Sequence, residues 1–332
     1  MHSALSGVFM ERIYLSEKPE RLEAVYARQL PLKIWKKADI LASPESFRDT
    51  RYIFSTWGMP EFTREEIKAY LPSLEAVFYA AGSVQHFARP FLQAGVKVFS
   101  AWAANAVPVA EYAVAQIILA NKGYFASAPL ASTGDRAGAK AVFAGYPGNF
   151  GVRVGIIGAG MIGKMVIRRL KDYDLEVVTF APFLPEQTAR ELGVEKVTLE
   201  ELFSTCQVVS NHLANNAQTK GMLDGKLFSK MLPYATFLNT GRGAQVVEED
   251  LVATLRARPD LTAVLDVTFP EPPVEGSGLL DLPNCILTPH IAGSSGNEVQ
   301  RMASYMLEEY HRFTQGESCL WEVTETMLET MA

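Results

Sequence analysis

Short apolar runs alternate with stretches of helical period along most of this chain. The runs Arg12–Leu15, Tyr52–Thr56, Ala76–Ala80 and Lys97–Phe99 are separated by helical patterns such as Glu20–Tyr26 and Arg64–Tyr70. A second series follows at Glu176–Phe180, Val208–Leu213, Thr236–Asn239, Thr262–Val267 and Cys285–Thr288. Continuous apolar strands with helical segments between them predict a parallel sheet covered by helices on both faces. Two such series predict two α/β domains. Pro108–Asn121 is apolar almost all round, the pattern of a helix buried on several sides, at a domain crossing or in a subunit interface. The Ala-, Gly-, Ser- and Pro-rich stretch 125–151 predicts loop with broken helix. Asn297–Phe313 places Met302, Met306, Tyr310 and Phe313 at helical spacing, a helix returning to the first domain with its methionines as core filler.

Between the two series lies Val154–Gly163, VGIIGAGMIG. An apolar strand ends at Gly158, and Gly158, Gly160 and Gly163 give the G-x-G-x-x-G spacing at the start of a helical pattern. Gly158 permits a tight turn, Gly160 lets a pyrophosphate approach the backbone, and Gly163 lets helix and strand pack closely. The N–H groups that open the helix, around Met161 and Ile162, face the phosphates, and the helix dipole favours their charge. This is a dinucleotide-binding turn.

Composition narrows the classes. The chain has 332 residues, 48% apolar and 20% charged, the balance of an ordinary globular enzyme of two domains. A net charge of −6 argues against nucleic acid as a partner. No apolar run is expected to span a bilayer, and the amino end lacks the pattern of a secretory signal. Cys206, Cys285 and Cys319 are scattered, with neither metal-ligand spacing nor a disulfide framework, so inert thiols in a cytoplasmic setting are expected.

Three short motifs follow the later strands: Asn239-Thr240-Gly241-Arg242-Gly243, then Leu265-Asp266-Val267 with Glu271-Pro272, then Thr288-Pro289-His290. Residues after parallel strands lie at the carboxyl edge of the sheet, where open α/β folds bind ligands. There Arg242 suits a bidentate grip on the carboxylate of a 2-keto acid. His290 suits a general acid/base at the carbonyl oxygen. Glu271 would favour the imidazolium and fix its orientation. Asp266 is placed to bond a nicotinamide carboxamide.

With these motifs the chain resembles the D-isomer-specific 2-hydroxyacid dehydrogenase family, from about Ala80 to Gly296. The matching segments are the glycine turn, NTGRG at 239–243, LDV at 265–267 with EP at 271–272, TPH at 288–290, and VAEYAVAQIILA at 109–120. The resemblance implies two Rossmann-like doubly wound domains. A dinucleotide-binding domain, 102–296, is inserted into a smaller flavodoxin-like substrate domain formed by 1–101 and 297–332. It implies Arg242, Glu271 and His290 as the catalytic set, and NAD or NADP as cofactor, held by Gly158, Gly160, Met161, Ile162, Gly163, Ala181, His212, Thr240 and Asp266. It also implies a substrate loop whose backbone at Gly82, Ser83 and Val84 meets the substrate carboxylate beside Arg242. The activity implied is interconversion of a 2-keto acid and a D-2-hydroxy acid, in a homodimer formed through the cofactor domain.

The chain departs from the family pattern in places. The position that should carry an Asp or Glu for the ribose 2′-hydroxyl is Ala181, and no Arg or Lys follows until Arg190. Weak discrimination between NAD and NADP is therefore expected, leaning to NAD. His212-Leu213-Ala214 lacks the family's proline at its third position, and His212 is expected to be structural on the cofactor side. No appended regulatory domain is expected. Trp57, Tyr79, Ala80 and His86 are candidates for the substrate-pocket wall, with Ala80 and Ala81 leaving room. Two other functions fit less well. A formate dehydrogenase-like enzyme has no carbonyl to protonate and does not need Glu271, and a dinucleotide-sensing, corepressor-like binding protein would show no turnover.

Overall fold

The computed structural model describes residues 10–26 and 33–329. The chain divides into two compact units, the first reaching to Asn105 and resuming at Ser294, the second spanning Ala106–Gly293. Together they give the two-domain Rossmann-type α/β fold expected from the strand pattern.

The first unit begins with strands β1 (Arg12–Leu15), β2 (Ile34–Trp35), β3 (Tyr52–Ser55), β4 (Ala76–Tyr79) and β5 (Lys97–Ser100). They pair in parallel in the order β2-β1-β3-β4-β5, the doubly wound flavodoxin-like order. Alternation sends Ile53, Val77 and Tyr79 to one face and Tyr52, Phe54 and Phe78 to the other, and both faces are buried. On the second face Tyr14, Phe54, Phe78 and Phe99 stack across four neighbouring strands at centroid distances of 5.2, 5.2 and 5.0 Å. Each such pair adds about 0.5–1.5 kcal/mol beyond its burial. The helix Val299–Gln315 covers this face with Met302, Met306, Tyr310 and Phe313, two residues displaced from the span the periodicity predicts. The methionines fill the core, as expected.

The second unit carries β6 (Val152–Ile157), β7 (Leu175–Phe180), β8 (Glu195–Lys196), β9 (Val208–Asn211), β10 (Thr236–Asn239), β11 (Thr262–Leu265) and β12 (Cys285–Leu287). The sheet order is β12-β11-β10-β9-β6-β7-β8, parallel throughout. Winding reverses between β6 and β9, so the topological switch point lies at their carboxyl ends. In the first unit a short strand β13 (Glu322–Val323) then pairs antiparallel with β5.

One expectation needs correction, and the loop with broken helix expected over 125–151 gains its bounds. The apolar helix runs from Trp102 to Asn121, six residues earlier than the pattern from Pro108 indicates, and at 20 residues it is long and apolar enough to cross a membrane. Its Ala110, Ala113 and Ile117 pack instead on Val154 and Ile156 of β6. The stretch 125–151 contains two helices, Tyr124–Ser132 and Arg136–Phe143. Their small residues, with Pro129 inside the first and Gly134 between them, conceal the helical period.

Candidate active site

The glycine turn follows β6 into the helix Met161–Leu170, whose N-cap is Gly160. Gly158 has φ +88°, a left-handed conformation that L side chains rarely adopt. A Cβ on Gly163 would lie 1.9 Å from the Gly158 carbonyl oxygen, so the helix meets the strand end at backbone contact. A Cβ on Gly160 would meet nothing within 4 Å. That open space, beside the N–H groups of a helix N-terminus, fits the pyrophosphate of a dinucleotide. Ala181, just past β7, is 8% exposed within an apolar cluster and offers neither an acceptor for a ribose hydroxyl nor a positive charge.

His212 follows β9, across the switch point from the turn; its carbonyl oxygen would be 3.0 Å from a Cβ on Gly158. Its ring is buried, Nε2 bonded to Ser210 Oγ at 2.8 Å and Nδ1 to Thr240 Oγ1 at 3.0 Å. Burial drives its pKa down to about 3, so the ring is neutral and occupied at both nitrogens. Thr240 spends its hydroxyl on this contact.

Arg242 stands where β10 gives way to a tight loop. Burial lowers its pKa, and the nearby Glu271 charge opposes that effect. Its Nη1 donates to the Gly241 carbonyl at 2.7 Å, and among the described residues no carboxylate lies within ion-pair distance. A desolvated guanidinium with most of its N–H donors unengaged is the group that grips an incoming carboxylate. A Cβ on Gly243 would lie 1.9 Å from the Thr268 carbonyl carbon, so this loop is wedged against the segment that leads to Glu271.

His290 Nδ1 donates to Glu271 Oε1 at 2.7 Å, and both side chains are partly exposed. Among the described residues Nε2 has no hydrogen-bond partner. The backbone of His290 has φ +56°, uncommon for a residue with a side chain. Asp266, just past β11, holds it there. Oδ1 accepts from Thr288 Oγ1 at 2.7 Å and from the Ile291 N–H at 2.8 Å, while Oδ2 accepts from the Ala292 N–H at 3.0 Å. The Tyr112 hydroxyl meets Thr288 Oγ1 at 3.2 Å. Asp266 is 2% exposed and bonded on both sides of His290, so its carboxylate anchors this loop, and Oδ2, which accepts one bond here, keeps acceptor capacity of the kind a carboxamide needs.

The three strand-end motifs thus lie on one sheet edge with the glycine turn, as their order predicts. The side-chain partners Gln245, Asn211 and Tyr112 were not singled out from the sequence; their only signal there is polar residues among apolar neighbours. In the first unit, Gly82, Ser83 and Val84 follow β4, with Ser83 exposed and the Val84 side chain buried. Tyr79, Ala80 and Ala81 are wholly buried in the cores of this unit, which removes them from a pocket wall and leaves no room at the two alanines. Trp57 is partly buried, and the exposed His86 approaches the Met59 carbonyl at 3.3 Å. The three cysteines are free thiols, and burial pushes Cys206 up to about 11 and Cys285 up to about 12.

Known proteins resemble this chain most over the second unit. Residues 134–292 match the model of the family described as D-isomer specific 2-hydroxyacid dehydrogenase, NAD binding domain. D-3-phosphoglycerate dehydrogenase of Bacillus subtilis is 32% identical over 167 residues, which is 50% of this chain and 32% of that one. The chain thus spans about a third of that relative's length. The apo structure of Rhodotorula graminis D-mandelate dehydrogenase superposes with a TM-score of 0.77 at 21% identity, covering 95% of this chain and 97% of that one. A Granulicella formate dehydrogenase gives 0.67 at 26% identity, covering 87% and 77%.

Proposed function

We propose that the chain belongs, by its cofactor-binding unit, to the D-isomer specific 2-hydroxyacid dehydrogenase family, and that it interconverts a 2-keto acid and a D-2-hydroxy acid with NAD(H). The observation that carries this reading is the His290–Glu271 pair at 2.7 Å, on the sheet edge that also bears the glycine turn and an arginine without an ion-pair partner among the described residues.

When bound, the nicotinamide supplies the hydride. Arg242 holds the substrate carboxylate through two parallel N–H bonds and draws electron density from the neighbouring carbonyl. His290, as imidazolium, gives the Nε2 proton to the carbonyl oxygen and becomes neutral, keeping Nδ1–H on Glu271. Glu271 stabilises the cation before transfer and fixes the ring plane. In the oxidation direction Nε2 takes the proton back. Asp266 holds the His290 loop in its left-handed conformation, the role its three hydrogen bonds support. Gly82, Ser83 and Val84 are assigned to the substrate carboxylate on the resemblance alone.

Ala181 supports use of NAD with weak exclusion of NADP, because neither an acidic residue nor a cation stands at that strand end. A homodimer through the cofactor-binding unit is part of the same proposal. Tyr124, Phe143 and Phe150, 50%, 47% and 81% exposed, are the apolar side chains a second copy would cover. A proton-transferring dyad supports a carbonyl substrate over formate.

The test is loss of NADH and NADPH absorbance with a panel of glyoxylate, hydroxypyruvate, pyruvate, phenylpyruvate and sugar-derived 2-keto acids. Turnover with at least one, faster with NADH, is expected. Tight NADH binding without turnover on any of them would overturn the enzymatic reading in favour of dinucleotide sensing.

A further inference from the structure

Three buried amides lie beneath the arginine loop. Asn211 ends β9, Asn239 ends β10, and Gln245 follows Arg242 by three residues; their exposures are 0%, 1% and 0%. Asn211 Nδ2 donates to Asn239 Oδ1 at 2.9 Å and to Gln245 Oε1 at 2.6 Å, and Asn211 Oδ1 accepts from the Leu213 N–H at 3.2 Å. Asn239 Oδ1 also accepts from the Gly241 N–H at 3.0 Å, and Asn239 Nδ2 donates to the Arg242 carbonyl at 3.2 Å. Gln245 Oε1 also accepts from the Arg242 N–H at 3.1 Å, while Nε2 donates to the carbonyls of Leu213 at 3.0 Å and Ala214 at 2.9 Å. A Cβ on Gly241 would come within 2.8 Å of both Asn211 Nδ2 and Gln245 Oε1, so the loop lies directly against the amides.

Every polar atom of this cluster has a partner, which makes it rigid and makes removal of one member costly to the rest. Side-chain amides hold both the N–H and the C=O of Arg242. With both fixed, its Cα–Cβ direction is fixed too, and so is the base from which the guanidinium extends. The same Gln245 amide holds Leu213 and Ala214, which directly follow His212 beside the glycine turn.

We infer that Gln245 is a positioning residue: one side-chain amide locks the backbone of Arg242 to the loop Leu213–Ala214, fixing the carboxylate-gripping arginine relative to the dinucleotide-binding edge. This rests on the proposed role of Arg242. The test is a double-mutant cycle of Gln245→Met and Arg242→Ala, read as kcat/KM for the best 2-keto acid, with amide hydrogen exchange over 211–216 and 239–245. Methionine keeps length and volume but offers no partner to the stranded groups. Gln245→Met is expected to lower kcat/KM by about 10- to 100-fold, the range set by leaving buried polar groups unpaired. It should also raise exchange at Leu213, Gly241 and Arg242. In the Arg242→Ala background the same change should cost less than about twofold, because the residues act as one unit. Equal losses in both backgrounds, or kcat/KM within twofold of wild type, would overturn the inference by reducing Gln245 to packing. If Gln245→Met does not fold, Asn211→Leu/Gln245→Met removes the mutually bonded pair together and is read in the same way. If the wild-type protein turns over no 2-keto acid, the functional reading fails and exchange alone decides. Faster exchange in both segments then keeps the lock, and unchanged exchange overturns it.

Discussion

His212 and His290 occupy the same sheet edge in opposite states. His212 is enclosed, bonded at both ring nitrogens and held neutral, with its pKa pushed down to about 3. His290 is partly exposed, oriented by one carboxylate, and keeps one nitrogen free. Only the second can exchange a proton with a substrate. The first has a consequence for stability. Its pKa in the folded chain lies below the unfolded value near 6.5, so below that pH the unfolded chain binds the extra proton. Its contribution is complete above about pH 6.5 and is lost as pH falls toward 3, at up to about 1.4 kcal/mol per pH unit. Urea unfolding at pH 7 and pH 4.5 should therefore show wild type losing about 2.5 kcal/mol more than His212→Asn over that interval. Identical pH dependence in the two proteins would mean that His212 is not a buried neutral imidazole.

The glycine turn separates two kinds of constraint within one element. Gly163 is required by the fold, since a Cβ there would strike the Gly158 carbonyl oxygen at 1.9 Å. Gly160 is required only by a ligand, since a Cβ there meets nothing within 4 Å. Gly163→Ala should lower the unfolding free energy by roughly 1–3 kcal/mol or more, as overpacking does. Gly160→Ala should leave stability within about 0.5 kcal/mol, as at open surface sites, while weakening NADH binding at least tenfold. Thermal melts with and without NADH check both, and equal destabilisation by the two variants would contradict the assignment. This turn was legible in the sequence because spacing, strand and helix are all local features. The bounds of the helices Tyr124–Ser132 and Arg136–Phe143 were not, although a broken helix was expected there, because alanine and serine blur the contrast that makes a period visible. The two-residue strands Ile34–Trp35 and Glu195–Lys196 are too short to show alternation at all.

At the scale of the molecule, two series of apolar runs predicted two parallel sheets, and both form with doubly wound strand orders. Strand order itself is set by long-range pairing that no local pattern encodes, as is the antiparallel return of Glu322–Val323 onto β5. The candidate site divides in the same way. Arg242, Glu271 and His290 were legible because each follows a strand and so falls on one edge. What holds them was not: Asp266 bonds residues up to 26 positions away, and Gln245 reaches back 32 to Leu213. The central claim is that His290, oriented by Glu271, moves the proton. The most direct measurement is kcat of His290→Ala with the best 2-keto acid, beside its NADH dissociation constant. The account predicts a fall in kcat of about 10²–10⁴-fold, with NADH affinity within about twofold of wild type. Turnover near the wild-type rate would remove His290 from the acid/base role and the mechanism with it.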